Sequence, residues 1–147
     1  MRYDAPDGPV ADEVRTILGS MNFSLVELAI QRIRKRTHIH CTIYNPEGFD
    51  LDRLSEVHRL IEPRLELMLE DRDMYIEFSS PGIDRKFKSF HEFGIFTGLR
   101  VSIMPPDQKW FEATIERATE TRVDLTLEDG TTAQFDSEGI VKARLSN

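Results

Sequence analysis

The residues Met74-Tyr75-Ile76-Glu77-Phe78-Ser79-Ser80-Pro81-Gly82 mark a change in the character of the chain. Met74, Ile76 and Phe78 alternate with polar neighbours, so they share one face of a short strand over 74–79. Pro81 fixes φ and Gly82 permits a sharp turn, so Ser79-Ser80-Pro81-Gly82 closes the unit to which that strand belongs. Before this point helix and strand periodicities mix. After it, one short aromatic turn aside, everything reads as strand.

Upstream, Val10, Val14, Ile17, Leu18 and Met21 recur at helical spacing, with Pro9 suited to the first helical position and Gly19 and Asn22 ending the run. Val26, Leu28 and Ile30 then alternate with Glu27 and Gln31, and Ile39, Cys41 and Ile43 alternate with His38, His40, Thr42 and Tyr44. Two strands joined across Arg34-Lys35-Arg36-Thr37 account for both halves. Asp50 is placed to cap a second helix, whose buried face runs through Leu54, Val57, Ile61, Leu65 and Met68. Pro63 should kink or restart it. The order is α-β-β-α-β, a two-layer α+β unit with helices on one side of a sheet.

Downstream, Phe90, Phe93 and Phe96 form an aromatic helical turn. Five short strands follow, centred on Val101, Ala113, Leu125, Ala133 to Phe135, and Ile140 to Leu145. Asp129-Gly130 is a hairpin signal, because both residues tolerate positive φ. Five strands in about 50 residues, joined by tight turns, predict a small closed barrel. The expected organisation is a mobile tail over 1–9, an α/β domain over 10–80, a linker over 81–88 and a barrel domain over 89–147.

The whole chain has 147 residues, 39% apolar and 31% charged, with a net charge of −7. That apolar share supports packed cores. No apolar run approaches the roughly 18–20 residues that span a bilayer. The opening residues lack the apolar segment of a secretory signal, so a soluble cytoplasmic protein is expected. One cysteine, Cys41, excludes an intrachain disulfide and a multi-cysteine zinc site. Residues 1–80 hold 10 Lys/Arg against 15 Asp/Glu, and residues 81–147 hold 9 against 11. Neither half is basic, which argues against indiscriminate coating of nucleic acid.

No catalytic constellation emerges. His38 and His40 share a strand face, but a metal would need a third ligand there, and Cys41 points the other way. Ser79 and Ser80 do not sit in a Gly-x-Ser-x-Gly elbow, and no phosphate-binding glycine pattern occurs. The Glu56, Glu62, Glu66 and Glu70 series is explained as the solvated face of the second helix. Binding candidates are stronger. Arg32, Arg34, Lys35 and Arg36 concentrate positive charge at a hairpin tip, where guanidinium groups would pair with phosphates. A charged turn guarding the hairpin against aggregation explains the same residues. Trp110, beside Lys109, lies out of phase with Phe111, Ala113 and Ile115, so it is free to stack on a base or anchor a partner, or to pack at the rim. The α-β-β-α-β order invites comparison with KH domains, yet the chain holds no Gly-x-x-Gly to clamp an RNA backbone, so sequence-specific RNA reading is disfavoured.

The string Ile76-Glu77-Phe78-Ser79-Ser80-Pro81-Gly82-Ile83-Asp84-Arg85 resembles the signature of the bacterial ribosome maturation factor RimP family. Phe93, Phe96, Gly98 and Val101 are similar to that family's barrel entry, Asp129-Gly130 and Ile140 to Leu145 to the rest of its barrel, and Leu25 to Leu28 and Asp50 to Val57 to its first strand and second helix. Lys86 departs from the pattern, standing where the family has a proline, and so do Pro63 and the proline-bearing tail.

The resemblance implies an SH3- or Sm-like barrel after the α/β domain, and a non-enzymatic factor without cofactor or metal. Such a factor would bind the immature small ribosomal subunit and assist its maturation. A monomer that meets a basic ribosomal protein and ribosomal RNA, with no membrane contact, is expected. The junction residues Ser79, Ser80, Pro81, Gly82, Asp84 and Arg85 would then set interdomain geometry, with Asp84 and Arg85 pairing with each other or tying the domains together. The rival from another class is an Sm-like RNA-binding translation regulator. It predicts affinity for naked single-stranded RNA with a steep salt slope. The first reading predicts little such affinity and, instead, co-sedimentation with small-subunit particles.

Overall fold

The computed structural model describes residues 1–106 and 109–146. The chain divides into two compact units, Pro6–Pro81 and a second made of Met1–Ala5 with Gly82–Asn147.

The first unit runs α1 (Pro9–Gly19), β1 (Ser24–Ile33), β2 (Arg36–Tyr44), α2 (Leu51–Leu69) and β3 (Tyr75–Ser79), the α-β-β-α-β order expected from periodicity. Pro9 opens α1, where its missing N–H costs nothing. Asp50 caps α2, its carboxylate accepting the Arg53 N–H at 2.9 Å. The helix does not restart at Pro63 but runs on through it. Val57, Ile61 and Leu65, all fully buried, hold it against the sheet across the bond that the proline removes.

The sheet order is β1-β2-β3, with β1 antiparallel and β3 parallel to the central β2. Both helices contribute to one core, in which Val14, Leu18, Val57, Ile61 and Leu65 meet Leu25, Ile39, Cys41, Ile43, Ile76 and Phe78. Simple alternation fails at one place. The register of β1 slips between Leu25 and Glu27, so Leu25 opposite Ile43 and Leu28 opposite Cys41 reach the core side three residues apart. Val26, expected beside Leu28 and Ile30, is the extra residue of this bulge. The other face of the sheet carries Gln31, Ile33, Arg36, His38, His40, Tyr75 and Glu77.

In the second unit α3 (Glu92–Ile95) precedes β4 (Arg100–Met104), β5 (Phe111–Ala118), β6 (Arg122–Leu127), β7 (Thr132–Asp136) and β8 (Lys142–Leu145). The five expected strands form an antiparallel sheet in the order β7-β6-β5-β4-β8. Gly130 takes φ +86 in the β6–β7 turn, a conformation that the absence of Cβ makes cheap. Phe87, Phe90, Phe93 and Phe96 are buried as one aromatic cluster, with successive ring centroids 4.9–5.4 Å apart.

Residues of the expected tail and of the expected linker are bonded into this unit. Phe90 N–H donates to the Arg2 carbonyl at 2.8 Å, and Asp4 N–H to Ser89 Oγ at 2.7 Å, so the first residues of the expected tail are tied down. Within the expected linker, Phe87 N–H donates to Ala143 and Leu145 N–H to Arg85, extending the sheet past β8. Lys86 faces Arg144 between those bonds. In such a pair the N–H points away from the neighbouring strand, so the Lys86 N–H is not needed by this ladder. No helix among the described residues is long and apolar enough to cross a membrane.

Candidate functional site

The hairpin between β1 and β2 turns in two residues, Arg34 and Lys35. Arg36 and Thr37, expected in the connection, belong to β2. Arg34 has φ 52 and Lys35 φ 67. A two-residue hairpin turn with φ positive at both positions matches strand twist, and asparagine followed by glycine is its favoured filling. Here a basic pair stands in the left-handed region, which costs non-glycine residues about 1 kcal/mol or more each. The sequence therefore keeps two exposed cations at a place where the backbone prefers neither. Arg34→Asn combined with Lys35→Gly is expected to stabilise the protein by about 1–2 kcal/mol, a rise of several degrees in thermal unfolding.

The flanking cations are held differently. Arg32 Nη1 donates to Thr37 Oγ1 at 2.7 Å and to Asp71 Oδ2 at 3.2 Å, while the Thr37 hydroxyl donates to the same carboxylate at 2.7 Å. Arg32 is thereby matched by an acid and turned away from the tip. The Thr37 hydroxyl, then the Asp73 N–H and Arg32, hold the Asp71 carboxyl below the usual carboxylate range. The stabilisation this gives is complete above the ordinary carboxylate range and is lost as pH falls through the depressed value. Asp71→Asn should therefore lower the melting temperature at pH 7, and the gap from the natural protein should close in acid, as followed by thermal scans between pH 7 and pH 3. Arg36 Nε donates to the Asp73 carbonyl at 2.7 Å. Arg34, Lys35 and Arg36 thus remain together at one end of the sheet.

Of the two histidines, His38 lies beside the Tyr75 ring, and His40 Nε2 is 2.7 Å from Ser79 Oγ. Cys41 is buried in the core, and burial pushes its thiol up to about 12, so it is no nucleophile at neutral pH.

At the junction, Ser79 ends β3 and Ser80 is exposed. Pro81 closes the first unit and Gly82 opens the second, with the Gly82 carbonyl accepting the Arg85 N–H at 3.1 Å. Asp84 is exposed. Arg85 pairs with Glu92, Nε to Oε1 at 2.9 Å, and both side chains are almost wholly enclosed. The other Glu92 oxygen accepts the Lys88 and Ser89 N–H groups at 2.7 and 3.1 Å. Apolar periodicity does not single out this carboxylate, although Ser89-x-x-Glu92 is the spacing at which a glutamate reaches back to a helix start.

Lys109 and Trp110 stand before β5, far in sequence from the hairpin. Trp110 is 43% exposed, carries the Arg144 guanidinium 5.1 Å from its ring centroid, and lines a cleft of about 750 Å³ with Phe111, Leu127 and Phe135. Glu112 and Glu128 at this cleft both pair with Arg100.

The RimP N-terminal domain family matches residues 13–84, from α1 through the Ser-Ser-Pro-Gly string. The ribosome maturation factor RimP of Borreliella burgdorferi (strain ZS7) is 31% identical over 105 residues, 71% of this chain and 72% of its own length. This chain belongs to the RimP family. The RimP of Borrelia recurrentis (strain A1) is 32% identical over 95 residues, 65% of this chain and 66% of that protein. That of Borrelia hermsii (strain HS1 / DAH) is 30% identical over 91 residues, 62% of this chain and 63% of its own length. These matches thus span about two thirds of the RimP relatives' length.

Proposed function

We propose that the protein is a non-enzymatic ribosome maturation factor that binds the immature small ribosomal subunit in the cytoplasm. In this reading the β1–β2 tip contacts ribosomal RNA, and the acidic remainder meets a basic ribosomal protein. The observation that carries the RNA contact is the pair Arg34 and Lys35, kept in left-handed conformations that glycine or asparagine would fill at lower cost. Local strain retained at an exposed, charged tip is best explained by a partner for those charges. The net charge of −7 supports the second contact, since charge complementarity steers an acidic factor toward basic protein and away from bare phosphate. The C-terminal sheet is read, on the family resemblance, as a small SH3- or Sm-like barrel, with Lys109 and Trp110 as further candidates for contact with the particle. Pro81 and Gly82 would set the geometry between the two domains.

The test is sedimentation of the tagged full chain through a gradient of cell lysate. Migration with small-subunit precursors, lost as salt is raised, is expected. A chain that stays at the top of the gradient at low salt refutes the reading.

A further inference from the structure

The uncovered face of the first unit's sheet carries a stacked cluster that the core does not need. Tyr75 on β3 is 45% exposed, the His38 ring lies beside it at 5.5 Å between centroids, and the Arg36 guanidinium sits 5.8 Å from the tyrosine ring centroid. Strand register fixes this arrangement, because His38 and Tyr75 are direct neighbours across β2 and β3. The hydrogen bond from Arg36 Nε to Asp73 holds the third member in place. Next to the cluster on the same hairpin stand Arg34 and Lys35.

We propose that this face binds single-stranded RNA, with an unpaired base stacked at Tyr75 while Arg34 and Lys35 hold the adjoining phosphates. The inference rests on reading the tip as an RNA contact, and it specifies the form of RNA the site takes. A duplex would satisfy the cations with its phosphates, but its bases are stacked inside the helix and would leave the ring unused. An acidic peptide would likewise answer the charge and not the ring. An unpaired base has open faces for an aromatic platform and a flexible backbone that follows a cationic edge. Gln31, paired with His38 across β1 and β2, adds an amide donor and acceptor on the same face. Glu77 lies one register step beyond, opposite His40, and confines the platform to the tip end.

The test is fluorescence anisotropy at low salt, using the full chain with a labelled oligouridine of ten nucleotides and with an RNA duplex of equal length. The oligouridine should bind weakly beside small-subunit particles, as the contact of a maturation factor should, but more tightly than the duplex. Tyr75→Ala should weaken the oligouridine about tenfold, the worth of one stacked base, and leave the duplex unchanged. Tyr75→Phe, which keeps the ring, should bind like the natural protein. Equal binding of duplex and oligouridine, no binding of oligouridine, an unaffected Tyr75→Ala variant, or equally effective displacement by polyglutamate would each overturn the proposal. If Tyr75→Ala is silent while loss of the Arg34 and Lys35 charges still abolishes binding to small subunits, stacking fails and the maturation reading stands. If neither change affects subunit binding, both fall together.

Discussion

Glu92→Ala should destabilise the protein by about 3–5 kcal/mol, and Arg85→Ala by a similar amount. The Glu92 side chain is 1% exposed and that of Arg85 10%. Removing the carboxylate takes an ion-pair partner from a buried guanidinium and an acceptor from the Lys88 and Ser89 N–H groups. Removing the guanidinium instead leaves a buried carboxylate short of an ion-pair partner. Total stabilities of such small proteins are about 5–15 kcal/mol, so either change takes a large share. The fall in melting temperature should be about 12 °C or more. The chain's single tryptophan, Trp110, lies in the affected unit and reports its unfolding by fluorescence. A shift of only a degree or two would mean that water reaches and solvates the pair.

The same pair shows where sequence reasoning stops. Asp84-Arg85 invited a local or interdomain pairing, since neighbouring opposite charges are visible in one dimension. Glu92, an acceptor of Arg85, lies seven residues on in a segment that also carries buried phenylalanines, and its burial depends on packing that periodicity does not encode. The element order, the Asp50 cap and all five C-terminal strands were legible because each rests on a local pattern of spacing or turn chemistry. The bulge at Val26 was not, because a slip of one residue leaves the apolar count unchanged while reversing which face each side chain takes. The docking of residues 1–5 was also invisible, since backbone donors and acceptors carry no side-chain signature. At the candidate site the basic tip could be read directly. What could not be read was that Arg32 is drawn off by Asp71 and Thr37, whereas Tyr75, 39 residues from Arg36, joins it.

Charge reversal at the tip, Arg34→Glu with Lys35→Glu and Arg36→Glu, should weaken binding to immature small subunits at least about a hundredfold. Hydrogen bonds between charged groups contribute about 1.5–3 kcal/mol each, and reversal adds repulsion to their loss. The dependence of binding on salt should flatten by about one unit of slope for each phosphate contact removed. A folding defect would produce a similar loss, so the neutral pair Arg34→Asn with Lys35→Gly is the sharper instrument. That variant should be more stable than the natural protein, because it relaxes the turn, and yet bind less tightly, because it lacks both charges. The deciding measurement is therefore the affinity of this stabilised variant for purified small-subunit precursors, beside the natural protein at the same salt. The account predicts a loss of about tenfold or more together with the raised melting temperature. Undiminished affinity in the more stable variant would contradict it, leaving the basic turn as a solvated guard of the hairpin.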